Sequence, residues 1–258
     1  MSGGALRQSL LLALFLAAMS TLAVACGGPG RPVLAPPVAT PGGNVVYLAV
    51  GASETVGFGS DDPLREAWPR IVFEHLGVGA RFVNAGIPDA TVASALADEV
   101  PLAVETHPTL VSIWLNANDL IAGVPVGTYE AQLGDLIHRL RDGGRATVLV
   151  ANTPALDRLP AYLACVSSPD VCELAQAGSF TLPEPAGLDR LIDDYNAAIA
   201  RVAGKEGAVV VDLHASSLAA RTEGVQDRLV SDDGFHPSDA GHRRVAQEFI
   251  AALDVVKS

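Results

Sequence analysis

Five short apolar runs, separated by stretches of helical periodicity, constrain this 258-residue chain more than any other feature. The runs are 45–50 (VVYLAV), 81–84, 110–115 (LVSIWL), 146–151 (ATVLVA) and 208–213 (AVVVDL). They lack the alternation of a strand wetted on one side and read as strands buried on both faces. Between them, 65–76, 129–141 and 188–202 space their apolar residues as helix faces do, and a last helix is expected over 239–255. Strands alternating with helices at this spacing predict an α/β fold: one five-stranded parallel sheet covered by helices on both sides, as three layers α/β/α. In such sheets ligands bind beyond the carboxyl ends of the strands, so reactive residues are expected just after strands.

The first 43 residues are expected to stand outside this domain. Residues 1–25 carry a single charge, Arg7, ahead of LLLALFLAAMSTLAVA, the pattern of an export signal peptide. The uninterrupted apolar part is short of the roughly 20 residues of a membrane span, the competing reading. Residues 26–43 are dominated by Pro and Gly and read as an extended tether, leaving 44–258 as one domain. The exit Leu22-Ala23-Val24-Ala25-Cys26 resembles a bacterial lipoprotein signal, which implies lipidation of Cys26 and a membrane attachment through that lipid. Ala23 stands where such signals usually carry Leu, and a plain cut after Ala25 is the alternative. Cys165 and Cys172, seven apart in one polar loop, suit a small disulfide in an oxidising compartment and leave Cys26 as the odd cysteine. The expected location is therefore the cell envelope as a lipoprotein, or alternatively free secretion. A formal net charge of −12 without a basic cluster argues against nucleic acid as substrate or partner.

Three strand ends and one C-terminal turn carry chemistry. The first strand runs into Gly51-Ala52-Ser53-Glu54-Thr55, which exposes a serine on a glycine-flanked turn. An α/β-hydrolase elbow needs Gly where Thr55 stands, so that family does not fit. The second strand is followed by Gly86, and the third by Asn116-Ala117-Asn118-Asp119, which offers amide donors where a ligand is expected. Taken singly, each of these also reads as an ordinary turn. Near the C-terminus stands Asp233-Gly234-Phe235-His236-Pro237, in which a carboxylate three residues before a histidine can fix the ring's tautomer. His242, Asp212 and His214 read as structural or capping residues, and no His/Cys/Asp cluster shows metal-ligand spacing.

Together the four blocks, in this order, resemble the SGNH hydrolases, the GDSL family of esterases and lipases, over roughly residues 45–250. The resemblance implies a flavodoxin-like sheet and a serine esterase working through an acyl-enzyme, without metal or organic cofactor. It implies Ser53 as nucleophile, His236 as proton carrier and Asp233 as its orienting partner. The oxyanion would be held by the backbone N–H groups of Ser53 and Gly86 and the side-chain amide of Asn118. Three positions depart from the family's pattern: Ala52 replaces an Asp, Glu54 replaces Leu or Ile, and Asn116 replaces a Gly. The substrate implied is a small ester or lipid-like ester, with acyl transfer to an alcohol other than water open to the same site. The alternative from another class is a non-catalytic cell-surface binding lipoprotein that keeps the fold. A transporter's binding lipoprotein would need two comparable lobes, which one domain does not supply.

Overall fold

The computed structural model describes residues 45–168, 172 and 182–257. In chain order these form β1 (Val46–Gly51), α1 (Ser53–Val56), α2 (Pro63–Glu66), α3 (Trp68–Leu76), β2 (Arg81–Asn84), α4 (Val92–Asp98), α5 (Val100–Thr106), β3 (Leu110–Trp114), α6 (Ala117–Ile121), α7 (Val126–Arg141), β4 (Thr147–Ala151), α8 (Pro160–Ser167), α9 (Pro185–Glu206), β5 (Val209–Val211), α10 (Leu213–Thr222), α11 (Gln226–Leu229) and α12 (Asp239–Lys257). All five strands pair parallel in the order β2-β1-β3-β4-β5. The three-layer α/β/α arrangement expected from the sequence is the one observed.

Alternate residues along each strand serve the two faces. Leu48 and Val50 of β1 join Val111, Ile113, Val148 and Val150 in a core covered by α4, α5, α7 and α9. Tyr47 and Ala49 face the other way with Leu110, Trp114, Leu149 and Val211, under α3 and α12. There the Trp68 ring stacks on Phe249 at 4.3 Å and meets Trp114 edge-on at 6.3 Å. These aromatic contacts clamp the C-terminal helix to the sheet, beyond what the buried area alone supplies.

The helix expected over 65–76 is two helices, α2 and α3, broken at Ala67, whose ψ is 137°. Pro69 is the reason: it has no N–H to offer a helix running through from residue 65, and fits only in a first turn. The helices expected over 188–202 and 239–255 are longer, Pro185–Glu206 and Asp239–Lys257. The expected fifth strand shortens to three residues because Asp212 accepts a hydrogen bond from Ala215 N (2.9 Å) and caps α10. Within the long connection after β4, the chain turns into α8, and a disulfide joins Cys165 of that helix to Cys172. The expected signal peptide, tether and Cys26 lie outside the described residues.

Candidate active site

The turn after β1 is shaped by close packing. A Cβ at Gly51 would lie 2.1 Å from Thr55 Oγ1 and 2.9 Å from the Trp114 carbonyl, so only glycine lets β1 end against β3 here. Ser53 is the first residue of α1, where N–H groups have no carbonyl partner inside the helix. Glu99, which precedes α5, fixes the end of the strand by accepting the Gly51 N–H at 2.8 Å. Asn84, at the end of β2, donates through Nδ2 to the Thr55 carbonyl at 2.7 Å. The serine therefore sits on a turn tied to two neighbouring elements, and is itself buried.

The C-terminal turn meets it from across the sheet. Ser231 N donates to the His236 carbonyl (2.9 Å) and Gly234, at φ 74°, closes the loop through a bond to the Ser231 carbonyl (3.0 Å). Asp233 Oδ1 accepts from Ser231 Oγ, Phe235 N and His236 N, all within 2.8–2.9 Å. Its other oxygen lies 2.6 Å from His236 Nδ1, and His236 Nε2 lies 2.8 Å from Ser53 Oγ. The Ser–His–Asp chain of contacts is thus continuous, although Ser53 and His236 are 183 residues apart. Partial burial works against the charged form of Asp233, but the hydrogen bonds from Phe235, His236 and Ser231 outweigh it and hold its carboxyl down at about 2. Asp233 is therefore an anion throughout the neutral range. With Nδ1–H donated to that anion, Nε2 is free to accept a proton.

The third block is divided in its roles. Asn118 donates through Nδ2 to the Ala90 carbonyl (3.0 Å), one of the two amide hydrogens it carries. Asp119 is wholly buried and accepts the Val92 N–H through both oxygens at 3.1 Å, capping α4; burial pushes its carboxyl up to about 7 despite those bonds. Asn116 reaches the Ala151 carbonyl at 3.3 Å. Gly86 has its N–H committed to Asn84 Oδ1 at 3.0 Å, so that donor is already occupied. Its lack of a side chain serves packing, since a Cβ would meet the Thr55 side chain at 3.0 Å. Between them, Asp89 holds a left-handed conformation (φ 62°), uncommon for a residue with a side chain.

Sequence reasoning gave Glu54 no place at the site and passed over Phe58. Glu54 is buried, with Oε2 3.3 Å from Ser53 Oγ. The Phe58 ring lies 5.5 Å from the His236 ring. Its carbonyl accepts from His242 Nε2 (2.9 Å), while His242 Nδ1 accepts the Trp68 N–H (3.3 Å). Burial lowers the pKa of His242, which is accordingly the neutral Nε2–H tautomer and supports the loop that packs on His236. That agrees with the structural role expected for it. Helix α8 braces the same loop from outside, Ala161 N donating to the Gly234 carbonyl at 3.2 Å. A cavity of about 880 Å³, counting its open mouth, adjoins the site with Glu54 and His236 in its wall. Apolar residues dominate the rest of it, among them Trp114, Leu156, Leu213, Leu229 and Phe235.

No curated protein matches the chain by sequence. Solved structures do match its fold. TesA is 24% identical, with a TM-score of 0.59 over 82% of this chain and 99% of that one. A lipase/acylhydrolase from Enterococcus faecalis is 19% identical, with a TM-score of 0.61 over 82% and 96%. A two-domain esterase active on acetylated mannans is 18% identical at a TM-score of 0.61, and the match spans 83% of this chain but only half of that one. The model of the GDSL-like lipase/acylhydrolase family matches residues 49–244, which takes in the turn after β1, both Asn-bearing strand ends and the Asp233–His236 loop. A match of that extent places the chain in the GDSL-like lipase/acylhydrolase family, and so among the carboxylic ester hydrolases.

Proposed function

We propose that this protein hydrolyses carboxylic esters through an acyl-enzyme formed on Ser53. The observation that carries the reading is the unbroken line from Ser53 Oγ through His236 to Asp233, with contacts of 2.8 and 2.6 Å. Ser53 Oγ attacks the acyl carbon while its proton passes to His236 Nε2. The tetrahedral oxyanion is met by the Ser53 N–H and by the amide of Asn118; the Gly86 N–H joins them only by sharing or leaving Asn84 Oδ1. Collapse expels the alcohol, which takes the proton from His236. A water then repeats the sequence, giving its proton to His236 and releasing the acid. An alcohol in place of that water makes the same site an acyltransferase, and adding an alcohol to the assay separates the two by the product formed.

The test of the nucleophile is covalent. An alkyl fluorophosphonate is expected to add one phosphonyl group to the full chain, on the peptide bearing Ser53, and none to Ser53→Ala, as read by intact-mass and peptide mass spectrometry. Labelling of Ser53→Ala to the same extent refutes the assignment.

The cavity beside Glu54 and His236 supports esters carrying an aliphatic chain over acetylated sugars, because its walls are apolar and a glycan would find few polar partners there. Burying each CH₂ is worth about 0.8 kcal/mol, so two methylenes already favour the longer ester roughly tenfold. We expect kcat/KM for p-nitrophenyl octanoate to exceed that for the acetate by at least about tenfold. Leu229, half-buried in the cavity wall, sets the length: Leu229→Trp lowers the octanoate-to-acetate ratio and Leu229→Ala moves the optimum to longer chains. Equal ratios in all three would exclude the cavity as the chain's seat. The Cys165–Cys172 bond favours an oxidising, exported location, in keeping with the envelope lipoprotein expected from Cys26; metabolic labelling with a tagged fatty acid, lost in Cys26→Ala, tests that anchor.

A further inference from the structure

Glu54 takes no part in the chemistry described so far, yet its carboxyl stands within hydrogen-bond reach of the Ser53 hydroxyl. It is 6% exposed, its Oε2 lies 3.3 Å from Ser53 Oγ, and it shares a cavity wall with His236. No cation among the described residues forms an ion pair with it. Arg244, the other charged residue lining that cavity, is committed to Glu223 and to Ser216. The titratable groups that face Glu54 are His236, with Asp233 behind it, and Glu99 below the end of β1. A buried carboxylate without a cation is costly, so such a group tends to hold its proton. Burial accordingly raises the pKa of Glu54, against the smaller opposing effects of its own backbone N–H, His236 and Ser53.

The Ser53 hydroxyl carries one proton and has two acceptors within reach. His236 Nε2 is at 2.8 Å and Glu54 Oε2 at 3.3 Å. A neutral Glu54 can donate its own O–H to Ser53 Oγ, which leaves the serine proton for His236. An ionised Glu54 is an acceptor only. It then competes for the serine proton, and it sets a negative charge beside the oxyanion that forms on attack.

We propose that Glu54 is a third partner of Ser53: with its proton it directs the hydroxyl to His236, and without it, it draws the hydroxyl away and closes the site as pH rises. This rests on Ser53 as the nucleophile. The direction follows from the chemistry of the two groups. Losing a proton activates His236, so activity rises with pH on the acid side; losing a proton turns Glu54 against the reaction, so activity falls again at higher pH.

The experiment is the pH profile of kcat/KM for a p-nitrophenyl ester, with the full chain, for the parent, Glu54→Gln, Glu99→Gln and Ser53→Ala. A bell is expected for the parent. Glu54→Gln, which has no proton to lose, should keep the acid limb and lack the alkaline one. Beyond the parent's upper midpoint the Gln-to-parent ratio then grows about tenfold per pH unit. The same alkaline decline in parent and Glu54→Gln overturns the proposal, as does a decline abolished by Glu99→Gln instead. If Glu54→Gln does not fold, the parent alone decides: its rate of phosphonylation at Ser53 must fall over the same alkaline range, and a rate that levels off overturns the proposal. Turnover surviving in Ser53→Ala removes the nucleophile, and Glu54's role with it; a dead Ser53→Ala beside matching profiles removes only the role of Glu54.

Discussion

Asp233→Asn is expected to lower kcat/KM for an ester by about 10,000-fold while leaving the protein folded. The reason lies in which oxygen does what. Oδ1 accepts three hydrogen bonds that shape the 231–236 turn, and an asparagine can present its carbonyl oxygen to the same donors. The other position, 2.6 Å from His236 Nδ1, then becomes an NH₂. Nδ1 must become the acceptor there, so the ring proton moves to Nε2 and faces Ser53 Oγ. A donor in that place cannot take the serine proton. His236→Ala removes the acceptor altogether and should cost at least as much. The measurement is kcat/KM on p-nitrophenyl octanoate beside thermal unfolding of each variant; an Asn variant within tenfold of the parent would falsify the assigned roles.

Stability should fall as pH rises from mildly acid to mildly alkaline, and Glu99 should be a main cause. Glu99 is fully buried, donates nothing in its charged form, and has one oxygen, Oε1, with no partner. Burial pushes its carboxyl up to about 8 from 4.5, in spite of the bond from Gly51 N, with Asp98 and Glu54 adding to the rise. Below the unfolded value both states hold the proton and pH has no leverage. Between the two values the unfolded chain ionises and the folded one does not, so folding loses about 1.4 kcal/mol per pH unit. Over the full interval that is a few kcal/mol, with roughly 5 as the ceiling. Glu99→Gln should flatten this slope, since its amide oxygen can still accept the Gly51 N–H. Asp119, raised from 3.8 to about 7 by burial, acts in the same direction and leaves a slope of its own behind. Urea unfolding of parent and Glu99→Gln at pH 5, 7 and 9 reads the difference; parallel curves would show that Glu99 is ionised in the folded protein.

These two carboxyls also mark where the sequence stops being legible. The continuous apolar run of β1, the Gly51 turn and the Asp233–His236 spacing are local patterns, and each announces its element and its side chains in one stretch. That the strands run parallel between two helical layers follows from the same alternation. Glu99 and Asp119 give no such notice: an acidic residue near a helix end reads as solvated, and only the tertiary fold buries it. Helices α4 and α5 were hidden for a related reason. They have seven residues each, meet at Glu99, and Pro101 interrupts any longer periodicity. Gly86 could be located from the sequence but not its amide's partner, because Asn84 reaches it through a side chain two residues away. Glu54 was visible as a departure from the family's aliphatic residue, but whether it pointed to water or to Ser53 depended on the packing of the whole turn.

Ser53 belongs to the first strand turn of the described chain, whereas Asp233 and His236 arrive just ahead of its last helix, the one clamped by Phe249 against Trp68. If these residues act as proposed, a nascent polypeptide holds its nucleophile long before it holds a base to arouse it. Synthesis would then proceed with a mute serine. On the proposed roles, hydrolytic power would appear only once the 231–257 segment has docked, so that activity would report the folding of the whole described domain.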